Sequence, residues 1–341
     1  MLLPNIKRTF GIEICQRFFV GGDTIPSILI FLLFALGLIC IIRGGDRFVD
    51  ASVWMASASR IPPFIIGATV VSLATTLPEI IVSLIAAWQG QTDMATGNAV
   101  GSVTANTALI LSFSVLLRPE PIDRTRLMPK ALLQIAAALT LWLSGISGWL
   151  TPFGCVGMLI LFGLFVYENL RSAKSERRSD ITSSVTVNRN TLLRNILIFV
   201  IGAGEIIIGS RLLVDNGTLI ARDILHIDER IVSLTMVAIG TSLPELVTAI
   251  SAVVKRSGSL AVGNILGANI IDLLLILPLC ALTQGGILPL SRSTLWIDIP
   301  FCLLITGIML APALIKRRFY RWQGAVSLLL HLLYTILLFA F

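Results

Sequence analysis

The sequence has few charged residues and few of the side chains that usually hold transition metals. Only 13% of its 341 residues are charged, against about 25% in a typical soluble domain. It contains two histidines, and its five cysteines are scattered singly without a CxxC spacing. These shortages argue against a soluble domain, and they leave no zinc or redox motif.

Long apolar stretches dominate instead. Hydrophobic residues make up 55% of the chain and the mean hydropathy is +0.90, as in proteins of the lipid bilayer. A helix needs about 20 mainly apolar residues to cross the hydrocarbon core, and about ten such stretches predict an all-α polytopic membrane protein. They start near Ile25, Ile65, Met94, Ala131, Leu150, Ile196, Ile231, Leu260, Trp296 and Val326.

Residues 1–24 differ from the rest because Lys7, Arg8 and Arg17 are mixed with apolar residues. No apolar core followed by a small-residue cleavage site is present, so we do not predict a signal peptide. We expect this N-terminal extension to form an interfacial helix.

The basic residues are distributed unevenly between the two sides of the predicted membrane. Of 26 Lys and Arg residues, 19 fall in loops on one side, and such loops stay in the cytoplasm. We therefore expect both termini on the outer, periplasmic side. The short loops suggest a prokaryotic inner membrane. Because the basic residues form no stripe, we do not expect nucleic acid as a partner. We expect the lipid bilayer and inorganic cations as partners, and a chain that functions as a monomer.

One segment of the chain occurs twice. Residues 67–106 align without a gap with residues 233–272, at a constant offset of 166. Each copy carries a glutamate directly after a proline inside an apolar stretch. Duplicated hydrophobic segments interrupted by Gly or Pro often mark the binding site of a secondary transporter.

The duplication divides the chain into two halves of five predicted spans. Because five is an odd number, the second half enters the membrane from the opposite side, so the repeats have inverted topology. We place the first half at 25–170 and the second at 195–341. The polar residues 171–194 form the cytoplasmic linker.

Four acidic residues lie deep inside the predicted spans, whereas no Lys or Arg does: Glu79, Glu205, Glu245 and Asp272. Intramembrane carboxylates usually pair with one another, with a cation or with a proton. Without a basic partner, the compensating charge must come from solution. Protonated carboxyls hydrogen-bonded within the bundle are the alternative. We favour that alternative for Glu205, which no repeat symmetry supports.

The neighbourhood of each glutamate is rich in oxygen ligands. Thr75 and Glu79 are four residues apart on one helix face, with Thr76 beside them. Oxygen ligands suit hard cations such as Na⁺ and Ca²⁺ rather than soft metals. Pro78 and Pro244 should break their helices and free the carbonyls of the preceding turn.

The span after each glutamate supplies the second side of the predicted site. Asn106 and Asp272 each follow their glutamate by 27 residues, and Ser102 shares the helix face of Asn106. Glycines four residues apart, Gly97/Gly101 and Gly263/Gly267, let two helices approach closely.

Both repeats resemble the alpha-repeats of the calcium/cation antiporter superfamily, the sodium/calcium exchangers and their bacterial relatives. The family pattern is roughly G-T-S-L-P-E, then G-N and G-S-N-I-x-N. The second repeat contains Gly240-Thr241-Ser242-Leu243-Pro244-Glu245, Gly263-Asn264 and Gly267-Ala268-Asn269-Ile270-Ile271-Asp272. The first repeat contains Ala74-Thr75-Thr76-Leu77-Pro78-Glu79, Gly97-Asn98 and Gly101-Ser102-Val103-Thr104-Ala105-Asn106.

The resemblance implies a set of ion ligands drawn from both halves. They are Thr75, Thr76, Glu79, Ser102, Asn106, Thr241, Ser242, Glu245 and Asp272, with the backbone carbonyls of Ser72 and Ala238. The chain departs from the family pattern at Ala268, where a serine ligand is common, at Val103, which replaces an asparagine, and at Ala74, which replaces a glycine.

The function implied is exchange of Ca²⁺ for Na⁺ by alternating access at a mid-membrane carboxylate site, without a cofactor and without enzymatic chemistry. A Ca²⁺/H⁺ antiporter would use the same carboxylates. An intramembrane enzyme would need a nucleophile or a metal set, which the repeats lack. A passive channel fits these clustered ligands less well than a tight-binding site does.

Overall fold

The computed structural model describes residues 27–119, 121–177, 188–225 and 229–340, without the side chains of 175–177, 223, 229–241 and 338–340. Eleven helical segments account for most of this part of the chain. They are α1 Ser27–Ser59, α2 Pro63–Thr75, α3 Leu77–Trp88, α4 Thr92–Leu117, α5 Arg124–Gly145, α6 Pro152–Arg177, α7 Arg189–Leu219, α8 Glu229–Val254, α9 Gly258–Thr283, α10 Thr294–Lys316 and α11 Arg321–Ala340.

Each of the ten predicted spans falls on one of these helices or on the bent pair α2/α3. By length and composition, seven helices can cross a membrane, and the bent pair makes an eighth, among the described residues. Large apolar side chains such as Ile28, Leu32 and Phe153 are exposed on the outside of the bundle, as lipid contact requires. The prediction of an all-α polytopic membrane protein is confirmed.

The first helices of the two halves pack against each other through glycines. A Cβ built on Gly37 of α1 would lie 2.9 Å from the carbonyl oxygen of Gly209 of α7, and one built on Gly44 would lie 2.9 Å from that of Gly202. The contacts run in opposite sequence order, so α1 and α7 are antiparallel. Antiparallel equivalent helices are what inverted repeats produce.

The repeats of the two halves also touch directly. A Cβ on Gly263 of α9 would lie 3.1 Å from the Ala68 nitrogen of α2, and one on Gly267 would lie 2.6 Å from the Ala68 oxygen. The close-packing prediction is therefore confirmed for this glycine pair. Around Gly97 and Gly101 no described atom comes within 4 Å of a built Cβ.

The two repeat prolines behave differently. α2 and α3 meet at Thr76 with a bend of 46° directly before Pro78, as predicted. Pro244 lies inside the uninterrupted helix α8, so its predicted helix break is wrong. A membrane helix tolerates a proline where its neighbours and side-chain hydroxyls satisfy the backbone around it. The missing Pro244 N–H frees the carbonyl of Gly240, four residues earlier. The Thr248 hydroxyl donates to the Pro244 carbonyl at 2.9 Å and so does not replace that bond.

Helix ends differ from the predicted spans, and this brings basic residues into the bundle. α1 continues to Ser59 and so includes Arg47, and α5 begins at Arg124 and includes Lys130, whose side chain is fully buried. The expectation that no Lys or Arg lies within the spanning helices is therefore wrong. Apolar runs mark the hydrocarbon core, whereas helices continue beyond it.

In each half, a polar pair that the sequence did not predict joins the last two helices. Lys130 of α5 forms an ion pair with Glu168 of α6. In the second half, the Tyr334 hydroxyl of α11 donates to Asp298 of α10 at 3.0 Å. The pairs occupy corresponding helices of the two halves.

The remaining segments are the linker between the halves, two short strands and the N-terminal extension. α6 continues to Arg177 and α7 begins at Arg189, so both ends of the predicted linker are helical. Two short strands, β1 Trp149–Leu150 and β2 Leu288–Pro289, pair antiparallel. The predicted interfacial segment 1–24 lies outside the described residues.

Candidate cation-binding site

The site is built where the regular backbone of both halves is interrupted. Within α4 a π-helical turn begins at Asn106, and within α9 another begins at Asp272, at the equivalent repeat position. π-helical turns inside α-helices frequently occur at functional sites. The predicted correspondence of these two residues therefore extends to their backbone geometry.

Three carboxylates from both repeats are buried near one another in the bundle. Glu79 is in the first turn of α3, Glu245 is on α8 and Asp272 is on α9, with exposed fractions of 2%, 1% and 0%. Glu79 is close enough to both others for electrostatic repulsion, and Glu245 likewise repels Asp272. Such an arrangement of buried charge requires compensation.

Several oxygens of these carboxylates have no hydrogen-bond partner. One oxygen of Glu79, one of Glu245 and both of Asp272 are buried and have no hydrogen-bond partner among the described residues. Buried polar atoms normally have a partner, so each exception calls for an explanation. Unpaired oxygens that converge from two repeats are suited to a cation.

Hydroxyl groups of the first repeat reach the glutamate of the second. The Thr76 hydroxyl donates to Glu245 Oε1 at 3.4 Å, and the Thr75 hydroxyl lies near the same carboxylate. Both threonines lie at the bend between α2 and α3. The bend thus places first-repeat oxygens beside a second-repeat carboxylate.

Three other predicted ligands have buried side chains on α4 and α8. Ser102 and Asn106 lie on α4 and Ser242 on α8, and the Asn106 Oδ1 and Ser242 Oγ atoms have no hydrogen-bond partner. The Ser72 carbonyl accepts the Thr76 backbone N–H at 2.9 Å, within its helix. The side chains of Ala238 and Thr241 lie outside the described residues.

The donor set is made of oxygen. Among the described residues, no three His, Cys, Asp or Glu side chains converge closely enough to form a metal centre by themselves. A cation here would draw on carboxylate, hydroxyl, amide and carbonyl oxygens together. Such mixed oxygen ligands are typical of hard cations.

Known proteins of similar sequence and structure were compared with this chain. The profile of the family described as "Sodium/calcium exchanger protein" matches residues 29–170 and 194–340.

The chain belongs to the sodium/calcium exchanger protein family. Similar relatives include the "Inner membrane protein YrbG" of Escherichia coli K12, 37% identical over 272 residues that cover 76% of this chain and 82% of YrbG. The "Sodium/calcium exchanger MaX1" of Methanosarcina acetivorans is 27% identical over 91% of this chain and 98% of MaX1.

A solved structure shares the fold of this family member. The sodium-calcium exchanger NCX_Mj, soaked with Na⁺ and Sr²⁺, matches with a TM-score of 0.79 and 28% identity, over 91% of this chain and 99% of NCX_Mj. Membership in the calcium/cation antiporter superfamily is thereby confirmed. The chain is a cation antiporter of the membrane.

The interpretation of Glu205 needs a correction in this exchanger-family chain. We predicted that Glu205 has no basic partner. This is wrong, because Glu205 of α7 forms an ion pair with Arg47 of α1. The physical reason is the greater length of α1, which carries Arg47 alongside α7. Glu205 belongs to the contact between α1 and α7.

Polar residues that the ligand prediction missed connect the repeats of the exchanger. Asn264 contacts Thr75 and Thr248, and the Asn269 amide nitrogen donates to Thr107 Oγ1 at 2.9 Å. All of these side chains are buried. The signal for Asn264 was its duplication as Asn98, whereas no repeat partner pointed to Thr107, because its equivalent position holds a leucine.

Proposed function

We propose that this chain exchanges Ca²⁺ for Na⁺ across the membrane, by alternating access at a site formed by both repeats. The observation that carries the proposal is the group of three buried carboxylates, Glu79, Glu245 and Asp272, with four unpaired oxygens between them. The names of MaX1 and NCX_Mj, sodium/calcium exchangers of the same family, support the choice of ions.

In this proposal, further ligands add oxygen from side chains and backbone to these carboxylates. Ca²⁺ takes six to eight oxygen ligands, more than the four carboxylate oxygens that are unpaired among the described residues. The remaining ligands are the side chains of Thr75, Thr76, Ser102, Asn106, Thr241 and Ser242, with the backbone carbonyls of Ser72 and Ala238.

Coupling between the two ions follows from shared ligands. Three carboxylates in a low-dielectric pocket do not all stay charged without a bound cation or proton. Ca²⁺ and Na⁺ compete for the same oxygens, so one excludes the other. If only loaded states change access, downhill entry of Na⁺ drives Ca²⁺ uphill.

We infer that α1 and α7 form the moving part and that the two repeats form the fixed core. Glycine contacts and the Arg47–Glu205 ion pair join α1 and α7 to each other. Rocking of one bundle against another around a fixed site is the general behaviour of inverted-repeat transporters.

The remaining parts of the proposal concern the cellular setting. The distribution of Lys and Arg favours a multi-pass inner-membrane protein with both termini on the periplasmic side, and YrbG is named an inner membrane protein. We propose that the chain works as a monomer in the lipid bilayer, with Ca²⁺ and Na⁺ as transported ions and no cofactor.

The test is ⁴⁵Ca²⁺ uptake into proteoliposomes loaded with Na⁺, beside identical vesicles that carry only a proton gradient. Uptake that requires internal Na⁺ and is lost in Glu79→Gln supports sodium/calcium exchange at this site. Uptake driven by protons alone would replace it with Ca²⁺/H⁺ antiport. No uptake under either gradient would refute both substrate assignments.

A further inference from the structure

Asn264 of α9 lies between the two repeats, next to the proposed site. Its side chain is 1% exposed. The Asn264 Nδ2 atom donates to the Thr248 hydroxyl of α8 at 3.0 Å, and its Oδ1 lies 3.3 Å from the Thr75 hydroxyl of α2. One amide thus connects a second-repeat helix to the first-repeat bend.

The hydrogen bonds of Thr248 fix which way this amide points. The Thr248 hydroxyl directs its single proton at the backbone carbonyls of Pro244 and Glu245, at 2.9 and 3.0 Å. A hydroxyl has one proton to donate, so Thr248 accepts from the Asn264 nitrogen. The Asn264 oxygen therefore faces Thr75 and can only accept.

Among the described residues, the Thr75 hydroxyl has one side-chain acceptor, the Asn264 oxygen at 3.3 Å. The Glu245 carboxylate lies nearby. The Ser72 carbonyl, at 3.3 Å, already accepts the Thr76 backbone N–H at 2.9 Å. Because the carboxylate becomes a cation ligand when the site is loaded, Asn264 is the side-chain acceptor that remains.

We propose that Asn264 is a positioning residue that accepts the Thr75 hydroxyl proton, so that Thr75 and Glu245 offer their oxygens to one cation simultaneously. A coordinating hydroxyl must turn its lone pairs to the ion and its proton away from it. This inference rests on the proposed function and assigns a role to a residue outside the ligand set.

A double-mutant cycle tests whether Asn264 acts through Thr75. The variants are Asn264→Ala, Thr75→Val and the double variant, and the readout is the Ca²⁺ concentration that half-saturates Na⁺-driven ⁴⁵Ca²⁺ uptake. We expect Asn264→Ala to raise the half-saturating Ca²⁺ concentration about tenfold, as for loss of a hydrogen bond to a group that binds charge. In the Thr75→Val background the same change should matter less than about twofold.

Two further variants separate positioning from a general effect on packing. In Thr75→Ser, which keeps the hydroxyl, Asn264→Ala should again raise the half-saturating concentration about tenfold. Asn169→Ala removes another buried asparagine, one that bonds the Phe165 carbonyl of its own helix, and should leave that concentration within about twofold. If Asn264→Ala had the same effect in the wild type and in the Thr75→Val background, or no effect at all, the inference would be overturned.

A second readout distinguishes failure of this inference from failure of the proposed function. The concentrations of Ca²⁺ and of Na⁺ that half-maximally raise the melting temperature are measured for the same variants. If Ca²⁺ is not transported but Na⁺ stabilises the protein, the proposed exchange fails. The double-mutant cycle is then evaluated with the Na⁺ concentration that half-maximally raises the melting temperature of each variant. Stabilisation of the wild type by neither cation would contradict both.

Discussion

The Lys255 ammonium at the end of α8 lies 2.7 Å from Asp50 Oδ1 of α1, and it also donates to the Asp46 carbonyl at 2.9 Å. This contact joins a helix of the proposed moving pair to a helix of the core. At the offset of 166, Lys255 corresponds to Gln89 of the other half, so the same ion pair cannot form there. We expect this contact to favour one access state over the other.

Neutralising Lys255 should change the rate of exchange without changing the affinity of the site. Lys255→Gln is expected to alter the Na⁺-driven ⁴⁵Ca²⁺ uptake rate by no more than about fivefold, because exposed ion pairs contribute little. The half-saturating Ca²⁺ concentration should stay within about twofold. Restoration by the charge-swapped pair Lys255→Asp with Asp50→Lys would support the ion pair, and a swap no better than the single variants would speak against it.

Removal of any one of the three central carboxylates should abolish exchange. Glu79→Gln, Glu245→Gln and Asp272→Asn are each expected to lower ⁴⁵Ca²⁺ uptake about 100-fold or more, as for loss of one partner of a buried charge pair. The control is Asp123→Asn, which removes an exposed helix-capping carboxylate, and asparagine caps helices equally well. Wild-type uptake by one of the three variants would remove that residue from the site.

The Arg47–Glu205 ion pair should matter more as a pair than as two separate charges. Arg47→Met or Glu205→Gln alone leaves a charge without its partner beside lipid, and should destabilise the protein by roughly 1–3 kcal/mol. The double change Arg47→Met with Glu205→Met should recover most of that loss. Melting temperatures of the purified variants in detergent measure both effects, and a purely additive double variant would show that the two side chains are independent.

Two neighbouring glycines of α7 provide a matched test of the α1 contact. A Cβ on Gly202 would lie 2.8 Å from the Phe48 nitrogen of α1, whereas none of the described atoms comes within 4 Å of a Cβ on Gly204. Gly202→Ala should therefore lower both the melting temperature and the exchange rate, by roughly 1–3 kcal/mol in stability.

Gly204→Ala is the control for this comparison. Alanine favours a helix over glycine by about 1 kcal/mol, so stability should be unchanged or slightly higher. If both alanine variants behaved alike in thermal melting and in ⁴⁵Ca²⁺ uptake, close contact between α1 and α7 would not be important for the fold or for exchange.

The membrane fold was predictable because each span leaves a direct physical record in the sequence. A helix in lipid must be apolar over its whole length, and the duplication identified both Glu79 and Glu245 before any coordinates. The behaviour of Pro244 was not predictable from its local sequence, because Pro78 occurs in nearly the same one. The difference therefore arises outside the shared motif, in the packing of the surrounding helices.

Helix ends and polar contacts between helices were the other features that the sequence left open. Hydropathy marks where apolar residues stop, so it missed the extension of α1 to Arg47 and its pairing with Glu205. The role of Asn264 likewise depends on its contact with Thr75, 189 residues away in the chain. Spacing within one repeat carries no information about such a contact.

The glycine contacts between α1 and α7 also fix the register of the two helices. Gly37 and Gly44 are seven residues apart, as are Gly209 and Gly202, which corresponds to about 10.5 Å along each helix axis. A slip of one turn, about 5.4 Å, would bring glycine carbonyls against residues that carry a Cβ. A displacement of either helix along its axis is therefore transmitted to the other, and the two helices move as one rigid body.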